Sequence, residues 1–428
     1  MAQAPRTRLE QRAQDAHLSV REFVDRFHAA AIDCGEDKAH ISERQAKRWF
    51  AGESELPRPV CRRVLEHWWA EPLSRLLGPP DSGTVRAVIN ADELIVNAGR
   101  ESVEHAINAA AALDPSALEH LHDATCRAAR AYYMTPPLMM LTDLVRLRDT
   151  LYKQLKRTHK PHQQADLYLL SGLVCGLLSS VSWDLGYAEV AEEQARATHT
   201  YGNVIDHPSL CAWARALQAA VMFWTARPRR AAALAATALE DAPVGTARAR
   251  LHPVHARSLA LIGARQEVRV ALDAADDELQ HAGNDPFLDE IGGELEFGRA
   301  RRALCAGTSF VALGDGEQAE NEATAALVLF GEMPERVRWA AGELGARVDL
   351  AAARTLRGDL AGAENALGAV FAVKPERRTE AVARRLTNLG RVLGATRYRN
   401  AVEASRISEA IENFTARSLP RSVIRAMN

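Results

Sequence analysis

The apolar positions of residues 18–77 recur with the spacing of amphipathic helices, and this segment predicts a unit of five helical parts. A first helix is expected at about residues 20–31. Its apolar side chains form one stripe that faces a core, namely Val20, Phe23, Val24 and Phe27. A second helix is expected at about residues 43–50, with Ala46 and Trp49 on its buried face.

Capping residues mark where these two helices begin. Ser19 and Glu22 fit the Ser-x-x-Glu capping box, and Ser42 and Gln45 fit its Ser-x-x-Gln form. In each box the serine hydroxyl accepts a hydrogen bond from the first turn, and the third residue along reaches back to the serine N–H. Gly52 then stands where the end of a helix favours a residue that tolerates a positive φ.

Prolines separate the remaining helices of this unit. Residues 56–59 read Leu-Pro-Arg-Pro, and Pro59 can occupy the first turn of a third helix. Pro72 opens a last short helix, which ends before Gly78. Residues 32–40, between the first two helices, form either a loop or an extension of the first helix.

The polar face of the second helix carries residue types that recognise bases. Glutamate can accept a hydrogen bond from cytosine, arginine can pair with guanine, and glutamine can pair with adenine; these types stand at Glu43, Arg44 and Gln45. Other basic or polar residues are suited to position the helix, chiefly through phosphates. The further residues expected to contact DNA are Ser19, Arg21, Ser42, Lys47, Arg48 and Arg58.

Together these motifs resemble the helix-turn-helix of the XRE (Cro/C1-type) transcription regulators. The resemblance rests on Leu-Ser-x-x-Glu-Phe at residues 18–23, Ile-Ser-x-Arg-Gln-x-x-Arg-Trp at residues 41–49, the glycine after them and Pro-x-Pro at residues 57–59. It covers about a fifth of the chain. It implies that the second helix enters the major groove of a double-stranded operator. Residues 32–40 are longer than the turn usual in that family.

The charge of this segment is weaker than the basic footprint expected of a DNA-binding domain. Residues 1–80 contain 13 Lys and Arg against 12 Asp and Glu, whereas residues 38–63 contain 7 against 3. A local excess of this size suffices when two copies bind side by side, because a dimer doubles the phosphate contacts. A homodimer is therefore expected. The alternative is a scaffold or anti-regulator that acts through protein contacts and does not bind DNA.

After a turn-rich break at residues 79–83, alanine-rich helical segments alternate with short turns. The turns are roughly 40 to 50 residues apart with one larger gap, and alanine follows each of them at helical spacing. They lie at residues 183–187, 226–230, 313–316 and 356–360, and a further one is expected near 261–263. The pattern predicts stacked helical hairpins and resembles divergent tetratricopeptide repeats. A generic α-helical bundle is the alternative.

An XRE-like head followed by such repeats is similar in architecture to the peptide-responsive RRNPP regulators, and the Ala- and Arg-rich composition is similar to that of actinobacterial regulators. This resemblance implies an all-α protein with a DNA-binding domain at residues 1–80 and a sensing and dimerising domain at residues 84–428. It also implies a cytoplasmic, nucleoid-associated location and an effector that is a peptide, a small molecule or a protein.

A group of aromatic and polar residues is the candidate ligand surface in an otherwise aromatic-poor chain. Packing of these rings in the core of the repeats is the alternative interpretation. The residues are Tyr168, Trp183, Asn203, Trp213, Arg215 and Trp224.

Composition excludes several other classes of protein. Hydrophobic residues make up 47% of the chain but aromatic residues only 6%, which suits closely packed helices. Six scattered cysteines indicate reduced thiols. The uncharged residues 167–183 are shorter than the roughly 20 of a membrane span, so a buried helix is expected there. The sequence lacks phosphate-loop, dinucleotide-binding and metalloprotease motifs. We therefore expect neither enzyme activity, nor a cofactor, nor a metal site.

Overall fold

The protein is all-α, as its sequence predicts. The computed structural model describes residues 5–53, 57–80, 91–109, 114–158, 160–281 and 285–419. Within these ranges the chain forms 21 α-helices and four short 3₁₀ helices, and it contains no β-strand. It divides into two compact units, residues 1–98 and 99–428. The predicted break between domains lies mostly at residues 81–83, outside the described residues, as does Leu56.

The first unit contains five helices before residue 80. They are α1 (Arg8–Asp15), α2 (Val20–Asp33), α3 (Glu43–Phe50), α4 (Pro59–Trp69) and α5 (Leu73–Leu76). Four of them lie within residues 18–77, where the sequence predicted five helical parts, and α1 precedes that segment. Because α2 ends only two residues beyond its predicted end, most of residues 32–40 form a loop, which turns at Gly35 with a φ of 76°.

The predicted apolar stripe of α2 faces the core of this unit. Phe23, Phe27 and Trp49 are fully buried, and the ring centroids of Phe27 and Trp49 lie 6.0 Å apart. The start of α1 is fixed to the end of α3, because the hydroxyl of Thr7 donates a 3.0 Å hydrogen bond to the carbonyl of Phe50.

The second unit is a succession of helices, the first of which begins before its boundary. They are α6 (Ala91–Ala109), α7 (Pro115–Ala131), α8 (Pro137–Leu155), α9 (Pro161–Asp184), α10 (Ala188–Val204), α11 (Pro208–Trp224), α12 (Pro228–Asp241), α13 (Thr246–Leu261), α14 (Arg265–Leu279), α15 (Pro286–Ile291), α16 (Arg299–Ala312), α17 (Gly316–Glu332), α18 (Ala340–Arg357), α19 (Leu360–Phe371), α20 (Glu380–Leu393) and α21 (Val402–Ala416).

From α9 onwards the helices pack in pairs, in which each helix contacts the next one along the chain. The pairs are α9 with α10, α11 with α12, α13 with α14, α16 with α17, α18 with α19 and α20 with α21. The first helices of the pairs also contact one another in order, and the last of them, α20, contacts α9. They therefore form an inner layer that closes on itself.

Glycine and aspartate explain the turns inside two of these pairs, α16 with α17 and α18 with α19. Gly314 and Gly358 adopt positive φ angles of 70° and 89°, which end α16 and α18 at little steric cost. Asp315 and Asp359 follow them and cap α17 and α19, because each carboxylate accepts a backbone N–H of the new helix. The turn near residues 261–263 likewise joins α13 to α14.

Small residues let the inner helices approach closely. A Cβ atom at Gly176 of α9 would overlap the ring of Trp213 on α11, so only glycine fits at this crossing. The helix α9 is long and apolar enough to cross a membrane by length and composition, but 72% of its most apolar window is buried inside the protein. This burial matches the prediction of a core helix for residues 167–183.

Candidate functional site

Helix α3 presents a polar face to solvent. Its buried residues are Ala46, Trp49 and Phe50, which join the core of the first unit. Gln45 is half-buried. The exposed residues that the sequence predicted to contact DNA are Ser19, Arg21, Ser42, Glu43, Arg44, Lys47, Arg48 and Arg58. Most of these lie on α3 or at its N-cap, whereas Ser19 and Arg21 belong to the start of α2 and Arg58 is the N-cap of α4.

Hydrogen bonds at the helix starts fix where α2 and α3 begin. Both halves of the Ser19 and Glu22 capping box form, with distances of 2.8 Å and 3.3 Å. In the second box, the hydroxyl of Ser42 accepts a hydrogen bond from the N–H of Gln45 at 3.3 Å. Among the described residues, only this one of the two hydrogen bonds of a capping box forms at α3. Gly52 adopts a φ of 69° just after α3, as predicted.

The loop before α3 is held against α2. The backbone N–H of Ile41 donates to Nε2 of His28 at 3.1 Å, so the side chain of an α2 residue fixes the approach to the N-terminus of α3. The imidazole rings of His28 and His40 also pack edge to face, with centroids 4.9 Å apart. The long connection between α2 and α3 is therefore bound to the unit by specific contacts.

The cations of α3 differ from several arginines of this unit that pair with carboxylates. Arg62 and Arg63 on α4 pair with the carboxylates of Glu66 and Glu36. Other arginines surround the carboxylate of Glu71. Within the described part of the chain, no carboxylate pairs with Arg44, Lys47 or Arg48, which leaves their charges free for an external partner.

The six candidate ligand residues do not come together in one place. Trp183 and Trp224 line a cavity of about 160 Å³, whereas Asn203 and Arg215 line a different cavity of about 490 Å³. Tyr168 stacks on the ring of Tyr201 with centroids 5.8 Å apart. The ring of Trp213 is fully buried against Gly176 and belongs to the core, which is the alternative that the sequence left open.

The smaller cavity lies among the inner helices of the second unit. Residues from α9, α11, α13, α16 and α20 line it, together with residues around 294–297. The aromatic part of its wall consists of Tyr132, Trp183, Trp224, Phe297 and Trp339. Such a concave site with mainly apolar walls and a few polar groups is typical of a small-molecule pocket.

Four arginines reach into this cavity, and each is less than a tenth exposed: Arg250, Arg257, Arg301 and Arg385. Arg301 pairs with Glu294 at 2.6 Å, and Nε of Arg385 lies 3.3 Å from Oδ1 of Asp349. One Nη atom of Arg250 donates to three backbone carbonyls at residues 294–296. Burial, together with the positive charge of Arg301, lowers the pKa of Arg250 to about 10.

A carboxyl group with an unusual pKa lies at the same cavity. Asp184 accepts a 2.9 Å hydrogen bond from the hydroxyl of Tyr132. The pKa of Asp184 is raised to about 7, mainly by burial and in smaller part by the negative charge of Glu294, against the lowering effect of the Tyr132 hydrogen bond. Near neutral pH this carboxyl is therefore protonated in part of the molecules.

The sequence-based prediction missed the cavity arginines. A signal for two of them exists, because Arg250 and Arg257 are seven residues apart and so share one face of α13, a helix that is mostly buried. Arg301 and Arg385 carry no comparable signal, since they stand on α16 and α20, and only the packing of the inner layer brings these helices to the cavity.

No protein-family model matches this chain, and comparison with well-characterised proteins found no similar sequence.

Proposed function

We propose that this protein is a sequence-specific DNA-binding transcription regulator with an XRE-like helix-turn-helix formed by α2 and α3. One observation carries the proposal: Arg44, Lys47 and Arg48 are exposed on α3 without a carboxylate partner in the described part of the chain, while Trp49 anchors the helix to the core. A helix that is rigidly anchored on one face and cationic on the other is suited to the major groove.

In this proposal the residues of α3 divide the work of recognition. Glu43, Arg44 and Gln45 stand in the first turn, which is the part of a recognition helix that reaches base edges. Lys47 and Arg48 bind phosphates, which position the protein without reading sequence. Because the net charge of residues 1–80 is only +1, we propose that a homodimer supplies the necessary phosphate contacts.

We further propose that the paired helices of the second unit are divergent tetratricopeptide-like repeats that dimerise and sense a peptide, a small molecule or a protein. The glycine turns and the alanine-rich crossings support this assignment. The repeats are longer and less regular than the tetratricopeptide period of about 34 residues, which makes them divergent. The first helices of the pairs begin at Pro161, Pro208, Thr246, Arg299, Ala340 and Glu380. A regulator of this kind acts in the cytoplasm, at the nucleoid.

The test is selection of DNA fragments from a genomic pool by the purified full-length protein at about 150 mM salt. We expect enrichment of a short inverted repeat. The double variant Arg44→Ala, Gln45→Ala should bind that repeat more weakly by about 1–3 kcal/mol for each lost base contact.

The matched control is the double variant Arg269→Ala, Gln266→Ala, which removes an exposed arginine and an exposed glutamine from α14. It should bind the repeat like the wild type. If the α3 variant also binds unchanged, α3 is not the recognition helix. If no sequence is enriched by the wild type, the scaffold or anti-regulator function replaces this proposal, and capture of protein partners becomes the next experiment.

A further inference from the structure

Four arginines reach into the cavity of the second unit, against three carboxyl groups, of which Asp184 is partly protonated near neutral pH. Glu294 pairs with Arg301, and Asp349 pairs with Arg385. Among the described residues, no carboxylate pairs with Arg257, although its side chain is only 8% exposed. A buried guanidinium without a counter-ion is costly, because burial removes its hydration. The rings of Phe223 and Trp224, whose centroids lie 5.7 Å and 5.9 Å from Cζ of Arg257, replace only part of it.

The hydrogen bonds of Arg257 are incomplete as well. One Nη atom donates to the hydroxyl of Thr308 over a long 3.5 Å, and Nε is buried without a partner. An Nη atom of Arg385 approaches the same hydroxyl at 3.3 Å. Two guanidinium groups therefore converge on one hydroxyl, which itself donates a 2.7 Å hydrogen bond to Asp349. Burial is the main cause of the lowered pKa of Arg385, and the positive charge of Arg257 also lowers it, whereas the charge of Asp349 raises it.

An anion between these two groups would give Arg257 the counter-ion that it lacks, and it would give Arg385 an acceptor in addition to Asp349. A carboxylate has two oxygens in one plane, which matches the planar donors of a guanidinium and allows charge-assisted hydrogen bonds. Arg250 is less available, because its Nη atom already donates to three backbone carbonyls. The anion site is therefore at Arg257 and Arg385.

The size and walls of the cavity restrict the rest of the ligand. Its volume is about 160 Å³, and a cavity of roughly 150 Å³ lined by apolar side chains accommodates benzene. A peptide of several residues exceeds this volume. The indole rings of Trp183, Trp224 and Trp339 line the space, and flat rings pack well against such surfaces.

We propose that the cavity binds a small aromatic carboxylate, with its carboxylate between Arg257 and Arg385 and its single ring against the tryptophans of the wall. The role of this ligand as the effector of a regulator rests on the proposed function. The binding of the ligand to the cavity does not rest on that function, because it can be measured without DNA.

The experiment titrates the full-length protein with benzoate and follows tryptophan fluorescence and binding heat. We expect a dissociation constant below about 1 mM, given the small number of atoms in the ligand. Benzamide, which has the ring without the charge, and inorganic phosphate, which has the charge without the ring, should each bind about tenfold more weakly or worse.

Arg257→Gln should weaken benzoate binding by about tenfold or more. Its thermal unfolding temperature should stay the same or rise, because an unpaired buried charge is removed. Arg269→Gln is the matched control, since this arginine is exposed on α14, and it should bind benzoate like the wild type. Ala220→Leu, which fills the cavity without changing an arginine, should also reduce binding.

Equal affinity for benzoate and benzamide, equal affinity for benzoate and phosphate, or no saturation by benzoate below about 10 mM would overturn the proposal. Unchanged binding in both Arg257→Gln and Ala220→Leu would overturn it too, because the ligand would then lie elsewhere. The two proposals fail separately. If the protein binds benzoate but no operator is found, the cavity proposal stands and the proposed DNA-binding function is wrong. If an operator is found but benzoate does not bind, the proposed function stands and the cavity proposal is wrong.

Discussion

Arg8 holds the carboxylate of Glu71 with two hydrogen bonds, 2.6 Å from Nε to Oε2 and 3.0 Å from Nη2 to Oε1. The two residues are 63 positions apart in sequence, so this pair ties α1 to the start of α5. Glu71 is only 8% exposed and also accepts a hydrogen bond from Nε of Arg12 at 3.0 Å. The pair thereby stabilises the unit that carries α3.

The first prediction concerns the pH dependence of this pair. Hydrogen bonds from Arg8 lower the pKa of Glu71 to about 2, from 4.5 in an unstructured chain. The ionised form is therefore favoured by folding, and its contribution to stability is complete above pH 4.5 and is lost as the pH falls through about 2. Glu71→Gln should cost about 3 kcal/mol at pH 7, because it leaves buried Arg8 without a counter-charge.

Hydrogen exchange of backbone amides in residues 5–53 and 57–80 of the full-length protein measures the stability of this unit. The difference in exchange rates between the wild type and Glu71→Gln should become smaller only below pH 4.5. Asp25→Asn is the control, since this aspartate is exposed on α2 and should leave exchange unchanged. Equal exchange in wild type and Glu71→Gln at pH 7 would show that the pair contributes nothing.

The second prediction tests the crossing of α9 and α11. Gly176→Ala places a methyl group where the ring of Trp213 lies, and such overpacking should destabilise the protein by about 1–3 kcal/mol. Gly368→Ala is the matched control, because this glycine is exposed on α19 with open space around its Cα. It should stabilise by about 0.5–1 kcal/mol through helix propensity. Urea unfolding of the full chain compares the stabilities of the two variants. If Gly176→Ala stabilises the protein as much as Gly368→Ala does, the crossing of α9 and α11 has room for a methyl group.

Local signals explain what the sequence predicted well. The helix starts at Ser19 and Ser42 follow from caps within three residues, and the buried face of α3 follows from the spacing of Ala46 and Trp49. The turns between paired helices also depend on neighbouring residues only. Helix α1 was not predicted, because contacts between residues far apart in sequence, such as that of Thr7 with the end of α3, hold it in place.

The cavity could not be predicted for the same physical reason. Arg257 and Arg385 approach one hydroxyl although they stand on α13 and α20, and only the closing of the inner helix layer brings them together. The aromatic residues of the candidate surface gave a partial indication, since Trp183 and Trp224 do line this cavity. The chain offers no local pattern that separates them from Trp213, which packs in the core.

The third prediction follows from the raised pKa of Asp184. Because burial raises this pKa to about 7 from 3.8, folding favours the protonated form, and the ionised form costs stability as the pH rises from 3.8 to 7. Asp184→Asn removes this cost and still accepts the hydrogen bond of Tyr132. At pH 8 the variant should be more stable than the wild type, and near pH 4 the two should be equally stable. The difference at pH 8 should be on the order of 2 kcal/mol, because the carboxylate keeps part of its hydration.

Thermal unfolding at pH 4, 6 and 8 checks this expectation. Asp166→Asn, an exposed aspartate on the same helix, is the control and should follow the wild type at every pH. If Asp184→Asn also follows the wild type at pH 8, the carboxyl of Asp184 is not held in its protonated form by the fold.

The last prediction separates phosphate contacts from base contacts on α3. Binding of a cation to DNA releases condensed counter-ions, so each lost phosphate contact flattens the dependence of affinity on salt. Lys47→Ala and Arg48→Ala should each weaken binding to the operator and to an unrelated duplex alike, and each should reduce the slope of log K against log salt by about one. Fluorescence anisotropy between about 50 and 200 mM salt measures both the affinity and its salt dependence.

The control is Arg269→Ala. It should leave the slope unchanged, because Arg269 is exposed on α14 in the second unit. If either variant loses affinity for the operator alone, with an unchanged slope, Lys47 and Arg48 contact base edges instead of phosphates. A different part of α3 would then face the bases.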